Sequence, residues 1–307
     1  MRGNNSLFSA MDIFYTDIFP IPLPATHRFP MEKYALLRQQ LVDNSIISPA
    51  YLQIPPAATL EQLIYAHTPD YIQRVFAGEL TEQEIKIIGF PWSTAMVERS
   101  RRSCGATIQA CYSALKQGIA VSLAGGTHHA YADHGQGYCV FNDSAVSARL
   151  LKITGWVKQV VIIDCDVHQG NGTAHILADD NDLFTFSIHG AKNFPFRKEK
   201  SNLDIELSDN TGDDVYLKAL EQRLKAVFQQ INPDLVIYLA GADPYQNDRL
   251  GRLALTKAGL ESRDMLILEW CRRLQIPVAI TMAGGYGKNI QDTVDIHLQT
   301  VKLAVSW

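Results

Sequence analysis

The 307-residue chain is 47% hydrophobic and 20% charged, with a formal net charge of −4, the profile of an ordinary globular protein. No block of five or more like charges forms a basic arm, so no nucleic-acid partner is expected. No run approaches the roughly 18 apolar residues of a membrane span, and the opening MRGNNSLFSAMDIFYTD lacks the apolar centre of a signal peptide, so no membrane partner is expected.

Met11 directly precedes the first strand-like run, so residues 1–10 read as a dispensable leader and 11–307 as a single domain. In chain order, short apolar runs at 12–15, 119–123, 159–163, 183–188, 235–239 and 277–281 are rich in Val, Ile or Leu, several on both faces. Such runs suit buried strands of a parallel sheet. Helical patterns fall between them at 94–116, 144–153, 213–230 and 256–274, the last following a capping Thr. Alternating strands and helices predict an α/β fold, a three-layer αβα domain around a mainly parallel sheet. Cys104, Cys111, Cys139, Cys165 and Cys271 are odd in number, irregularly spaced and without a CxxC pair. Neither a disulfide framework nor a thiolate zinc site is indicated, and a reducing cytoplasmic setting is expected.

Polar residues gather after four of these strands. His128 and His129 follow 119–123. Asp164, Asp166 and His168 follow 159–163. Asp243 follows 235–239, and Tyr286 follows 277–281. Each taken alone reads more readily as a loop or a helix cap. All four together point at the edge where open α/β sheets bind ligands, beyond the carboxyl ends of the strands.

In extended backbone Asp164, Asp166 and His168 share a face, and two carboxylates beside an imidazole favour a cation among them. Asp and His are zinc ligands, and a catalytic site uses three protein ligands with one position open. Asp243, amid the small residues of AGADP, can supply the third, although Asp before Pro also opens turns. His128-His129 follows a glycine turn that can aim two imidazoles at one centre for acid–base work. Tyr286 closes the AGGYG turn, from which a phenol can donate to an oxyanion.

The ordered runs GGTHHA, GYCVFND, DCDVHQGNGT, SIH, AGADPY and AGGYG, with HTPDY near the front, resemble the motifs of histone deacetylases over nearly the whole chain. The resemblance implies an arginase-like α/β catalytic domain that hydrolyses acyl-lysine amides with Zn²⁺, for which Fe²⁺ or Co²⁺ can substitute. It implies metal ligands Asp166, His168 and Asp243, catalytic His128 and His129, Asp164 partnering the first, and Tyr286 on the oxyanion. It implies an acyl channel at Gly137 and Tyr138, with Gly284 and Gly285 on the substrate side. It implies a structural monovalent cation such as K⁺ near Asp164, Asp166, His168, Ser187 and Ile188. The expected partners are an acylated lysine peptide or a small acylated amine.

Two departures stand out. Asn171 occupies the position where many family members have an aspartate that partners the second histidine. The segment 85–92 (IKIIGFPW), read as a rim loop, lacks the acidic residue with which peptide-active members grip a substrate backbone. The IGFPWS and HRFPMEKY runs resemble a compact, class IV-like branch. A two-manganese ureohydrolase would need further Asp and His ligands, and a degenerate binding module would have lost a ligand or the tyrosine. No GxSxG elbow, HExxH helix or Walker loop is present.

Overall fold

The computed structural model describes residues 11–307, so the leader expected at 1–10 lies outside the described residues. The elements run β1 (Ile13–Phe14), α1 (Lys33–Asp43), β2 (Leu52–Gln53), α2 (Leu60–Leu63), α3 (Pro69–Ala77), α4 (Glu82–Ile88), α5 (Thr94–Gln117), β3 (Ile119–Ser122), α6 (Asp143–Ile153), β4 (Val160–Asp164), α7 (Asn171–Ile176), β5 (Leu183–Gly190), β6 (Leu203–Leu207), α8 (Asp213–Gln230), β7 (Leu235–Leu239), α9 (Lys257–Leu274), β8 (Val278–Thr281) and α10 (Ile290–Val305). The strands form one sheet in the order β2-β1-β3-β8-β7-β4-β5-β6. Every pairing is parallel.

Alternation along the strands builds two cores. Val121, Val161, Ile163, Val236, Tyr238 and Ile280 face α1, α8, α9 and α10. Ala120, Val160, Ile162, Leu235, Ile237 and Ala279 face α3, α5 and α6. Side chains on both faces are apolar because helices cover both, which is why these strands read as continuous hydrophobic runs. The Thr256 hydroxyl caps α9 by accepting from Gly259 N at 3.0 Å. All five cysteines are free and buried. No helix among the described residues is long and apolar enough to cross a membrane.

The six expected strands become eight. β2 has only two residues, too few for a periodic signal. β6 is an edge strand whose apolar Leu203, Ile205 and Leu207 alternate with Asp204 and Glu206, so it lacks the doubly apolar signature of its neighbours. The segment read as a rim loop at 85–92 is instead helical through Ile88. Thr81 and Glu84 form a capping box at the start of that helix, and left-handed Gly89 ends it.

α9 carries a buried charge pair beneath the strand ends. Arg263 Nε donates to Asp264 Oδ1 at 2.8 Å. Its Nη1 donates to Gly241 O at 2.6 Å and to Cys165 O at 3.4 Å, joining the loops that follow β7 and β4. Asp264 also accepts from Thr300 Oγ1 at 2.6 Å and from the Tyr238 hydroxyl. Removing one partner of a buried pair leaves an uncompensated charge. Arg263→Met is therefore expected to destabilise the metal-free protein by about 3–5 kcal/mol in urea unfolding. A loss below about 1 kcal/mol would show that Asp264 is satisfied without the guanidinium.

Candidate active site

The turn after β3 is built around glycine and one buried carboxylate. Gly125 and Gly126 adopt φ of +80° and +72°, a region that costs other residues strain. A Cβ on Gly126 would also lie 2.5 Å from that of Ala283 in the turn after β8. Fully buried Asp143 holds the turn. It accepts from Gly126 N at 2.9 Å, Thr127 N at 2.7 Å, Thr127 Oγ1 at 2.7 Å and Thr107 Oγ1 at 2.5 Å. A buried carboxylate stands only where donors satisfy it in this way.

The turn delivers two adjacent imidazoles, tilted by 46° with ring centroids 4.1 Å apart, to different partners. His128 Nδ1 lies 2.6 Å from Asp164 Oδ2. His129 Nδ1 lies 2.6 Å from Asn171 Oδ1. The Asn171 amide nitrogen donates to Tyr131 Oη at 3.0 Å and Gln136 Oε1 at 2.9 Å. That network assigns the amide oxygen toward His129, so Nδ1 of His129 carries the proton and its Nε2 lone pair stays free. Burial works against a charge on His128, but the Asp164 and Asp166 carboxylates outweigh it and lift the ring to about 9. Burial and then the charges of His128 and His168 push His129 well below the usual histidine range. Two adjacent rings are thereby driven apart in acidity, the pattern of distinct acid–base roles.

Strands β4 and β7 are neighbours in register, with Asp164 opposite Leu239. Their following loops therefore meet, and Asp166, His168 and Asp243 each bring one ligand atom within 4.8 Å of the others. Asp166 Oδ2 accepts from Gly284 N at 2.7 Å and Asp243 Oδ1 from Val167 N at 2.8 Å. Asp243 Oδ2 is buried without a hydrogen-bond partner and lies 3.3 Å from His168 Nδ1. Burial, then the charge of Asp166, raises Asp243 to about 7. The same carboxylates overcome burial and raise His168 to about 10. An orphaned buried anion beside a second carboxylate and an imidazole is short of positive charge, and the three donors fit a divalent ion. Gly284 makes the room: a Cβ there would lie 2.0 Å from Asp243 Oδ2 and 2.5 Å from Asp166 Oδ2.

The sequence reading put Asp164 on one face with Asp166 and His168. In the structure Asp164 turns to His128, because the chain leaves extended geometry when β4 ends at that residue. Ser187 stands opposite Asp164 across β4 and β5, with its Oγ 2.9 Å from His189 Nδ1, and Ile188 is in the core.

A cleft of about 760 Å³ opens above His129, His168 and Tyr286. Gly137 and Tyr138 form one wall, at φ of +54° and +67°, held by bonds from their amides to Ile87 O and Ile88 O at 3.1 and 2.6 Å. A Cβ on Gly137 would lie 2.8 Å from the His129 ring. Gly285 packs behind the turn, where a Cβ would face Thr293, Ala242 and His297, so it is placed away from the channel. Burial and then the Asp166 and Asp243 charges hold the Tyr286 phenol well above its ordinary pKa, so it remains a donor.

Three residues were missed from sequence. Phe194 faces the His129 ring edge-on at 4.9 Å and forms the opposite wall of the cleft. Asp248 accepts from Tyr286 N at 2.6 Å and from Leu250 N and Gly251 N at 2.7 and 2.9 Å. Buried Lys33 donates to Ala283 O and Gly285 O at 3.4 and 3.3 Å, beneath the Tyr286 turn. Only the FPF aromatics after β5 carried any local signal. Asp248 and Lys33 act through distant contacts that no spacing reveals.

The ligand geometry sets one expectation. Asp243→Ala, which removes a three-donor site's least satisfied carboxylate, should abolish retention of a divalent ion after desalting, read by elemental analysis against the parent protein. Full occupancy in that variant would place the ion elsewhere.

Comparison with known proteins gives a consistent picture. A family model described as the histone deacetylase domain matches residues 27–301. The chain is 42% identical over 288 residues to an uncharacterized protein of Picosynechococcus sp., covering 93% of this chain and 95% of the relative. It is 28% identical over 294 residues to histone deacetylase 2 of Arabidopsis thaliana, covering 92% and 76%. A histone deacetylase homologue from Aquifex aeolicus superposes with a TM-score of 0.84 at 24% identity, covering 96% of this chain and 84% of that one, a likeness of fold. With its eight-stranded parallel sheet and the motif residues gathered at the carboxyl edge, the chain belongs to the histone deacetylase family.

Proposed function

We propose that this protein is a metal-dependent amide hydrolase that removes acyl groups from the side chain of lysine or from related linear amines. The observation that carries the reading is the buried Asp166–His168–Asp243 triplet, with its orphaned oxygen, on the floor beside the His128–His129 pair and Tyr286. Asp166, His168 and Asp243 would hold a divalent ion, zinc in this reading with Fe²⁺ or Co²⁺ able to substitute, which would supply Lewis acidity toward the amide carbonyl and water. The free Nε2 of His129 accepts the proton of the attacking water and returns it to the leaving amine. His128, kept charged by Asp164, adds positive charge beside the developing oxyanion. The Tyr286 hydroxyl donates to that oxyanion. Gly137, Tyr138 and Phe194 align the linear chain and limit water. A structural monovalent cation near Asp164, Ser187 and Ile188 belongs to the same reading. A two-metal ureohydrolase centre is not favoured, because among the described residues one group of three potential ligands comes together.

The zinc-reconstituted protein should hydrolyse acetyl-lysine reporter peptides with modest efficiency, and a longer acyl amide or small acylated amine faster. A chelator should stop the reaction and added metal restore it. Absence of turnover across the whole panel would refute the assignment.

Tyr286→Phe should keep fold and metal while kcat falls by about 10²–10³, the usual cost of one oxyanion donor. Near-parental turnover would make Tyr286 a packing residue. Asn171→Asp places a carboxylate on Nδ1 of His129 and so raises the pKa of that ring. The active form needs neutral His129, so the acidic limb of the kcat/KM profile should move to higher pH by about one unit or more. An unmoved limb would mean that a group other than His129 is the base.

A further inference from the structure

The floor of the cleft is anionic, but its mouth is not. The side chains that line the mouth include Lys86 from the last turn of α4, Lys192 from the loop after β5, and Arg249 and Arg252 from the loop after β7. No Asp or Glu lines it. Arg252 is neutralised by Asp209, with Nη2 and Nε 2.7 and 3.0 Å from Oδ2. Arg249 donates to a carbonyl, Lys288 O at 3.0 Å. Lys86, Lys192 and Arg249 are all solvent-exposed; among the described residues none makes a direct ion pair, and the one carboxylate near Lys192, Asp209, is already bound by Arg252. Three separate segments thus bring cations without a direct ion pair to one opening, in a chain whose formal net charge is −4. Beside them, Phe196 is 89% and Ile87 42% exposed, which gives the same rim an apolar surface.

We infer that the preferred substrate is a small linear acylated amine whose far end carries a carboxylate. This rests on the amide-hydrolase reading above. The acyl amide reaches the metal ligands, an aliphatic linker lies between Tyr138 and Phe194, and the free anion meets Lys86, Lys192 and Arg249. Clefts lined by one sign of charge concentrate ligands of the other sign and repel their own. A polyamine, cationic beyond its acylated end, is disfavoured by the same three side chains. A peptide backbone finds no acidic residue at the rim to accept its amide protons.

Three isosteric probes separate the terms: acetamidohexanoate (anionic), N-hexylacetamide (neutral) and N-acetylcadaverine (cationic), assayed with the zinc-reconstituted protein. The expected order of kcat/KM is anionic over neutral over cationic, with roughly tenfold or more between the extremes at low ionic strength. The spread should shrink as salt brings the screening length to about 10 Å or less. Lys86→Glu and Lys192→Glu, both exposed and tested separately, should each narrow or invert the anionic-to-cationic ratio. The neutral probe serves as the internal reference. Turnover of the neutral probe with equal rates for all three, with a cationic preference, or with ratios unmoved in both variants overturns the inference and leaves the hydrolase reading intact. An acetyl-lysine peptide with capped ends that outruns the anionic probe also overturns it. No turnover of any substrate overturns both.

Discussion

Three carboxylates, Asp164, Asp166 and Asp243, are buried where adjacent parallel strands end, and the local structure is organised around keeping that charge tolerable. Water cannot solvate it, so protein donors or a cation must. Asp164 is satisfied by His128, Asp166 by the amides of Gly284 and His168, and Asp243 on one oxygen by the amide of Val167. The remaining oxygen of Asp243 is left for a cation. The crowded carboxylates lift His128 and His168 well above ordinary histidine, and burial with the charge of Asp166 lifts Asp243 toward neutrality. A site that holds protons so readily is one that a divalent ion can occupy by displacing them.

The glycines follow from the same constraint. Gly284 is small because two carboxylates press against it, and Gly126 is left-handed because the turn must carry two histidines inward past Ala283. Beneath these turns lie buried supports with no part in the chemistry. Asp143 ties the His128–His129 turn to α5, Arg263 joins the two ligand loops from below, and Lys33 with Asp248 holds the Tyr286 turn. Parallel strands deliver loops to one edge, but sub-ångström aim comes from such second contacts.

Chemistry and selectivity are separated along the cleft. The floor is acidic and imidazole-rich, suited to a metal and to proton transfer. The walls are a glycine, a tyrosine and a phenylalanine, which favour an unbranched chain. The mouth is cationic and apolar, drawn from α4 and from the loops after β5 and β7. Lys86 and Lys192 lie on segments that carry none of the floor residues, whereas Arg249 shares the loop after β7 with Asp243, so selection by the two lysines can act on the far end of the substrate without disturbing the reacting groups.

The doubly apolar runs at 119–123, 159–163 and 235–239 determined the α/β fold by themselves, because burial on both faces leaves no polar alternation to misread. The polar residues after those runs marked the edge, and the ordered motifs around them marked the family. Tertiary structure decided what depends on contacts across long stretches of chain. Asp164 pairs with His128, as the family resemblance implied, rather than joining the triplet as extended alternation alone suggested, because β4 ends there. Gly285 backs the turn rather than lining the channel. The edge strand Leu203–Leu207 was hidden by its exposed face. The helix through the IKII segment is a different case, because its Thr81–Glu84 capping box is local and was present in the sequence. The cationic mouth, by contrast, was illegible. Lys86, Lys192 and Arg249 are scattered in sequence, and only the packing of α4 against two loops gives them one opening to share.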